Sequence, residues 1–511
     1  MDSVGITLSS VRWGPFLSGM ILIVLSGCMD LEDTRLHSDT GQKTTIRESG
    51  SLRGLPGPIH SPLMNEADRY NPTAKMPKAC IKNVCELTLE KVIELALERN
   101  ISLLNRRLDR KTDKLSLEIA ENRYTPKFTV STNANRTRND TSASASLQTT
   151  VDVPTGGSVN FTVQETNRGG SQSLTFRQPL LKGAGIDISR GSLDRARLSE
   201  QRKMISFRRS VADLVVQVIG AYRSLAGAIR QAEISKISLD RAYEQLKATQ
   251  ALIRAGRVAE RETVRSEAAI ANGELSFVRA QNTLESAQYN LIDILELESD
   301  TIIRPLEELK AVQRASVLTP TFEDVLRNRS DYLQALIGIE TAKIELTRAR
   351  NNMLPDLALD VGLRRNEPQK PEPTLGLSAS VPLSNKRERR LELMTARNAL
   401  LKEERNIAEL RESIRVELRQ AVNDVEVNFR LTELARDARD LAEQNLETEQ
   451  GKFEQGLASS SDVATSEQEL VRSEQAQADA IVAYLGALTK LDTVTGQTLE
   501  RWGIQVDTVS Q

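Results

Sequence analysis

Hydrophobic and polar residues follow two periods along this chain, and the longer pattern is helical. Residues 384–454 are rich in Leu, Ala, Glu, Arg and Gln, and they contain no proline and no glycine except Gly451. A helix of these roughly 70 residues would be about 100 Å long, because an α-helix rises 1.5 Å per residue. After the segment 455–463, a second helical pattern runs back for roughly 30 residues. The sequence therefore predicts a helical hairpin too long for an ordinary soluble domain.

The segment 455–463 has the residues expected at the tip of such a hairpin. Gly456 fits the position just after a helix, where glycine adopts the left-handed conformation at low cost. Ser459, Ser460 and Ser461 are candidate N-caps of the returning helix. The pattern predicts a tight turn between two helices.

The returning helix carries a seam for packing against another helix. Four apolar residues are separated by seven or fourteen positions: Val463, Leu470, Tyr484 and Leu491. Gln477 interrupts the series. This spacing is typical of coiled coils and predicts that the four residues face a neighbouring helix.

A second pattern, in which apolar and polar residues alternate, predicts β-strands between the helical segments. The apolar positions of three such runs are Phe128, Val130, Thr132 and Ala134; Leu357, Leu359, Val361 and Leu363; and Leu375, Leu377, Ala379, Val381 and Leu383. Runs of about 8–11 residues have the length of tilted transmembrane strands. The alternative is the half-buried sheet of a soluble protein, but no neighbouring segment supplies a core for one. Strands in lipid must belong to a closed barrel, because open edges would leave backbone groups unpaired.

The first half also contains an inserted hairpin at residues 143–166. Its alternating apolar positions are Ala145, Leu147, Thr149, Val151 and Val153, followed by Val159, Phe161 and Val163. The turn between the arms is Pro154-Thr155-Gly156-Gly157. The first half then has four strands and the second has two, too few to close a barrel within one chain. The barrel must therefore be shared among several chains, either with all six strands of each chain in it or with the hairpin folded over the mouth, into the lumen or outside.

The two halves of the chain are copies of one another, with an offset that settles at 200 residues. The tip glycines Gly256 and Gly456 show this offset directly. Each copy reads as helix, helix, strands, long helix and returning helix. The sequence predicts five segments: a signal peptide at 1–28, an extended tether at 29–86, a first repeat at 87–315, a second repeat at 316–497 and a tail at 498–511.

The first 28 residues resemble the signal peptide of a bacterial lipoprotein. A short apolar core at residues 16–25 ends in Leu25-Ser26-Gly27-Cys28, which is similar to a lipobox. The resemblance implies that Cys28 is acylated and becomes the first residue after cleavage. In such lipoproteins an Asp directly after the cysteine commonly means retention in the inner membrane. This chain has Met29 there, so the resemblance favours the outer membrane. The alternative is an ordinary secretion signal with an incidental cysteine.

The tether is rich in Gly, Pro, Ser and charged residues and lacks a core of its own. Cys80 and Cys85 lie near its end. In an oxidising periplasm these two cysteines can close a small disulfide loop, and two unpaired thiols are the alternative. Either way the pair is structural.

Composition excludes several classes of function. A net charge of −2 gives no basic face for nucleic acid. The two histidines, His37 and His60, both lie in the tether, and no cluster has metal-ligand spacing. No glycine-rich loop matches a phosphate site. We therefore expect no enzyme, no cofactor and no metal.

This combination of features resembles the outer membrane efflux protein family, the TolC-like exit ducts. The resemblance covers roughly residues 87–497 and rests on the duplicated layout, on a Pro-Leu pair before each long helix, and on the tip sequence Gly-Leu-Ala-Ser-Ser-Ser-Asp-Val. It implies a mainly α fold with a membrane β-barrel portion. In that family three chains share one β-barrel in the outer membrane, and their helical hairpins form one hollow α-barrel in the periplasm. The inserted hairpin departs from the commoner layout of two strands per copy.

The resemblance also implies partners and sites. A homotrimer in outer-membrane lipid would export small molecules with a periplasmic adaptor and an inner-membrane transporter of the RND or ABC type. The hairpin tips would meet the adaptor, which places docking at Gly256, Gly456, Leu457 and Ser459. Asp462 matches the family position of a charged ring at the closed periplasmic end.

Simpler interpretations of the tip residues stay open. Asp462 can be a helix-start residue that the helix dipole favours, and the two tip glycines can meet a backbone requirement alone. Glu262 has the same spacing in the first copy, but Arg257 and Val258 follow its glycine, so the first tip departs from the docking sequence of the second.

Two competing functions also remain. A protein-secretion duct would have the same fold. A lipid-anchored coiled-coil scaffold without a pore would not explain the alternating strands.

Overall fold

The structure is a computed structural model that describes residues 80–81, 84–136, 141–167, 169–307, 320–381 and 384–506. The signal peptide with Cys28 and most of the tether lie outside these residues. The described chain forms two compact units. One contains Tyr124–Ile186 and Pro355–Val381, and the other contains the remaining described residues. The first unit is mostly strand and the second is mostly helix.

The helical unit repeats one order of helices twice. In the first copy the helices are α1 (Leu89–Arg99), α2 (Ile101–Glu121), α3 (Ile186–Arg254) and α4 (Glu262–Leu295). In the second copy they are α5 (Phe322–Asn328), α6 (Ser330–Asn352), α7 (Lys386–Glu454) and α8 (Ser460–Thr495), and the short α9 (Thr498–Arg501) follows. Both α3 and α7 have 69 residues, which corresponds to about 100 Å of helix. The predicted duplication and the long helical hairpins are confirmed.

Short polar side chains start several of these helices. Thr88 precedes α1 and accepts a hydrogen bond from the amide of Lys91, and Asn100 precedes α2 and accepts one from the amide of Leu103. Thr321 does the same before α5. Each cap satisfies an amide that has no partner inside its helix.

The strand unit is one antiparallel sheet of six strands. These are β3 (Lys127–Arg136), β4 (Thr141–Asp152), β5 (Ser158–Thr166), β6 (Gly169–Pro179), β8 (Asp356–Asn366) and β9 (Glu372–Ser380), in that spatial order. The inserted hairpin forms β4 and β5 and pairs on both sides, with β3 and with β6. The two copies meet where β6 pairs with β8. The alternating pattern therefore predicted β3, β4, β5, β8 and β9 correctly, and the predicted total of six strands is observed.

A second, small sheet contains a pairing that no local sequence pattern predicts. It consists of β1 (Cys80–Ile81), β2 (Val84–Leu87) and β7 (Ile302–Pro305), and β2 runs parallel to β7. Cys85 is disulfide-bonded and fully buried, and Cys80 lies opposite it in the β1–β2 ladder. The tether was expected to be extended up to residue 86, but its end is ordered because β2 pairs with a strand from the end of the first copy.

The largest core of the helical unit joins α1, α3 and α4 to β2. Its fully buried side chains include Ile93, Val218, Tyr222, Leu225 and Leu291. By composition α3 is apolar enough to cross a membrane, but half of that stretch is buried. Burial against α1 and α4 accounts for its apolar character, so α3 is a core helix.

The second helical hairpin packs along the predicted seam. Val463, Leu470, Tyr484 and Leu491 are all at most 6% exposed. The ring of Tyr484 on α8 lies 5.5 Å from the ring of Phe429 on α7. The coiled-coil spacing of α8 therefore predicted its contact with α7.

Candidate functional site at the hairpin tips

Both hairpin tips reverse the chain through the same backbone motif. At the end of α7, the amide of Gly456 donates to the carbonyl of Phe453 at 2.9 Å, and the amide of Leu457 donates to that of Lys452 at 2.8 Å. The same pair of bonds forms around Gly256 at the end of α3. The φ angles of the two glycines are +73° and +76°, and nothing lies within 4 Å of an added Cβ. Backbone conformation, not space, therefore requires glycine here.

The second tip continues into a complete capping box. Ser459 precedes α8, and its Oγ accepts a hydrogen bond from the amide of Asp462 at 3.3 Å. In return, Oδ2 of Asp462 accepts bonds from the amide and the hydroxyl of Ser459, each at 2.8 Å. Two amides at the helix start are thereby satisfied.

The carboxylate of Asp462 is charged and faces solvent. The amide and the hydroxyl of Ser459 hold the pKa of Asp462 below its ordinary value, because both stabilise the ionised form. The side chain is exposed. Asp462 therefore starts a helix, as the simpler interpretation required, and also presents a negative charge at the tip.

The first tip starts its returning helix differently. Arg261 precedes α4 and makes no side-chain cap. Glu262 is only 6% exposed, and its Oε2 accepts a hydrogen bond from Ser460 Oγ of the second tip at 2.5 Å. Arg265 donates to Oε1 of Glu262 at 3.2 Å. Equal spacing suggested that Glu262 and Asp462 were counterparts, but the structure gives them different surroundings, since Glu262 joins the two tips.

An apolar cluster also holds the two tips together. Its buried members come from the second hairpin and include Leu446, Phe453, Val463 and Leu470, while Leu252 and Val258 pack against them from the first hairpin. Leu457, by contrast, is 74% exposed. The tip thus has a packed interior and one apolar side chain that contacts little of its own chain.

Further from the tips, an arginine bridges the hairpins. Arg241 on α3 donates to Oε1 of Glu467 on α8 at 3.0 Å and lies 3.9 Å from Oε1 of Glu474. Burial raises the pKa of both Glu467 and Glu474, while the charge of Arg241 opposes that rise. No local pattern in the sequence predicts this bridge, because Arg241 and Glu467 are more than two hundred positions apart.

The other expected sites are only partly within the described residues. Cys28 lies outside them. Cys85 is disulfide-bonded, as described above. Across residues 84–506, apart from the gaps already given, no group of three or more His, Cys, Asp or Glu side chains could hold a metal ion.

Comparison with known protein families gives a match over most of the chain. The profile described as outer membrane efflux protein matches residues 92–295 and 321–497. Comparison with curated protein sequences gives no match.

Solved structures of similar fold include several outer-membrane proteins. The outer-membrane channel OprN is 16% identical, with a TM-score of 0.64 over 80% of this chain and 90% of its own. The open state of the Neisseria gonorrhoeae MtrE outer membrane channel is 17% identical, with a TM-score of 0.64 over 82% and 91%. The outer membrane protein VceC from Vibrio cholerae is 15% identical, with a TM-score of 0.62 over 80% and 96%. At these identities the likeness establishes the fold.

Proposed function

The chain belongs to the outer membrane efflux protein family, and from this premise we propose that it is the exit duct of a tripartite pump for small molecules. The family is one of outer-membrane channels, not of enzymes. Its channels are trimers that work with a periplasmic adaptor and an inner-membrane transporter. Three copies of this chain would form the duct, and the transporter would supply the energy.

One observation carries this proposal: the chain combines duplicated long helical hairpins with a sheet that has an apolar face. The hairpins supply walls of about 100 Å. The sheet supplies strands of 9 to 12 residues, long enough to cross the hydrocarbon layer. A coiled-coil scaffold without a pore has no use for such a sheet.

The tips are the proposed adaptor contact. Docking at Gly256, Gly456, Leu457 and Ser459 is supported by the exposed side chain of Leu457 and by the rigid, doubly bonded turn beneath it. A pre-formed turn binds with little loss of conformational entropy. The second tip is the stronger candidate because the first has Arg257 where the second has Leu457.

Asp462 is the proposed periplasmic gate residue, and reconstitution in planar bilayers tests both the channel and the gate. The wild-type trimer should conduct ions, and Asp462→Asn should lower the cation-to-anion permeability ratio about twofold or more. Three like charges at a narrow neck favour cations, and the substitution removes all three.

Ser459→Ala is the matched control for Asp462→Asn. It removes the cap, at a cost of about 1 kcal/mol of helix stability, but keeps the three charges, so ion selectivity should stay at the wild-type value. If Asp462→Asn conducts with wild-type selectivity, Asp462 is only a helix cap. A reconstituted trimer without conductance would refute the duct itself.

Cys28 is the proposed lipid anchor, and metabolic labelling tests it. Cells fed with labelled palmitate should incorporate the label into the wild-type protein and not into Cys28→Ala, because the thiol is the acylated atom. Cys85→Ala, which leaves Cys28 in place, should still be labelled. Label retained in Cys28→Ala would show that the segment 25–28 is not a lipobox.

A further inference from the structure

The inserted hairpin β4–β5 is built into the middle of the sheet. From the six-stranded sheet we infer that all six strands of each chain enter the barrel, so that the trimer closes as 18 strands and not as the 12 left without the hairpin. This inference rests on the proposed trimeric duct. In such a barrel, each edge of the sheet pairs with another copy of this chain.

The faces of the sheet run unbroken through the inserted strands. One row crosses five strands and contains four large apolar side chains, Phe128, Phe161, Leu174 and Leu363, with Thr149 between the two phenylalanines. The adjacent polar row contains Thr129, Gln148, Thr162, Ser173 and Arg364. Residues opposite each other in neighbouring strands lie on the same face, so β4 and β5 continue both surfaces. A hairpin that left the barrel would have no need for this match.

The turn at residues 154–157, between β4 and β5, is hydrogen-bonded to the end of β6 and to the segment that follows it. The carbonyl of Thr155 accepts bonds from the amide of Gly185 at 3.0 Å and from Gln178 Nε2 at 3.2 Å. Its hydroxyl donates to Gln178 Oε1 at 2.7 Å. A Cβ on Gly156 would lie only 2.1 Å from the carbonyl oxygen of Gly183, so only glycine allows this approach. These contacts fix the hairpin at the end of β6, in register with the sheet.

The two edges of the sheet suit closure by further copies. Among the described residues, β3 pairs only with β4, and β9 pairs only with β8. Six antiparallel strands place β3 and β9 in opposite directions, so β9 of one copy can pair antiparallel with β3 of the next. Unpaired edges cannot persist in lipid, and closure removes all of them. Because barrel diameter grows roughly linearly with strand number, the 18-stranded lumen would be about 1.5 times as wide as a 12-stranded one.

Neighbouring cysteines on opposite faces test the inference in intact cells. Cys85 is disulfide-bonded, and labelling of the parent protein gives the background. Leu147→Cys, on the apolar face of β4, should resist a water-soluble maleimide. When this cysteine carries a membrane-permeant fluorescent label, brominated lipid should quench the fluorescence of the label. Gln148→Cys, on the polar face, should react with the maleimide through the lumen.

The reference pair is Leu174→Cys and Ser173→Cys on β6, a strand that belongs to the barrel with or without the hairpin. If Leu147→Cys and Gln148→Cys react equally fast while Leu174→Cys stays protected, the hairpin is an appendage and the 18-stranded barrel is wrong. If Leu174→Cys also reacts fast, the proposed barrel itself fails. The two failures are therefore distinguishable.

Deletion of residues 141–166 provides a second measurement. It removes two strands, preserves the alternation of direction and lets β3 pair with β6, with Phe128 opposite Leu174 on one face. The shortened chain should form a trimer with a narrower pore. For polyethylene glycols added from the outer side, its exclusion limit should be about one third smaller in diameter than that of the wild-type trimer, because 12 strands replace 18. An unchanged exclusion size would overturn the inference, and if the variant does not assemble, the cysteine pairs still decide.

Discussion

Replacing Leu457 by aspartate is expected to abolish efflux while leaving the trimer intact. The side chain is 74% exposed, and only the backbone amide of Leu457 takes part in the tip turn. The variant would lose an apolar contact with the adaptor and would bring a carboxylate into that interface. Loss of a central apolar contact costs about 2 kcal/mol or more of binding free energy, which corresponds to roughly 30-fold in affinity. The measurement is drug susceptibility of a strain that lacks this protein and is complemented with the variant.

Arg257→Asp is the matched control, because Arg257 occupies the same position in the first tip. This variant removes no apolar side chain from the tip, so it should restore efflux better than Leu457→Asp. A heat-modifiable trimer band from both variants would show that assembly is intact. Full complementation by Leu457→Asp would exclude docking through the second tip.

Replacing Tyr222 by alanine is expected to cause the largest loss of stability. Tyr222 is 2% exposed in the core between α1, α3 and α4, and its hydroxyl donates to the carbonyl of Leu87 at 3.1 Å. Burial raises the pKa of Tyr222 to about 12, so the hydroxyl remains a donor at neutral pH. Truncation of a buried aromatic residue to alanine costs about 3–5 kcal/mol. Thermal unfolding of the detergent-solubilised trimer, followed by circular dichroism, measures the change.

Tyr222→Phe separates the contribution of the ring from that of the hydroxyl. The carbonyl of Leu87 also accepts a bond from the amide of Leu306 at 3.1 Å, so it keeps one partner. The loss should then be about 1 kcal/mol. Equal unfolding midpoints for Tyr222→Ala and Tyr222→Phe would show that ring packing contributes little here.

Local sequence patterns predicted most of the fold. The continuous helical composition before Gly456 corresponds to the 69 residues of α7. The apolar residues at seven-residue spacing from Val463 to Leu491 are the buried positions at which α8 packs against α7. The alternation at residues 143–166 appears as β4 and β5. These features were accessible because each depends on residues that are close in sequence.

Contacts between distant segments could not be predicted in this way. The hydrogen bond from Ser460 to Glu262 and the ion pair of Arg241 with Glu467 join hairpins from different copies. Exposed acids are common on helices, and nothing in the sequence marked Glu262 as buried. The assigned roles of Asp462, Leu457 and Cys28 rest on family resemblance and stay predictions.

The pairing of β2 with β7 constrains the order in which the chain can fold during secretion. Two contacts, between Val84 and Ile302 and between Leu89 and Glu307, each bridge 218 residues. A chain exported from its N-terminus brings β2 into the periplasm long before its partner strand. Until β7 follows, apolar residues such as Leu87 and Leu225 cannot complete their core and remain open to aggregation. A periplasmic chaperone that shields extended apolar segments is therefore expected to be needed before the trimer assembles.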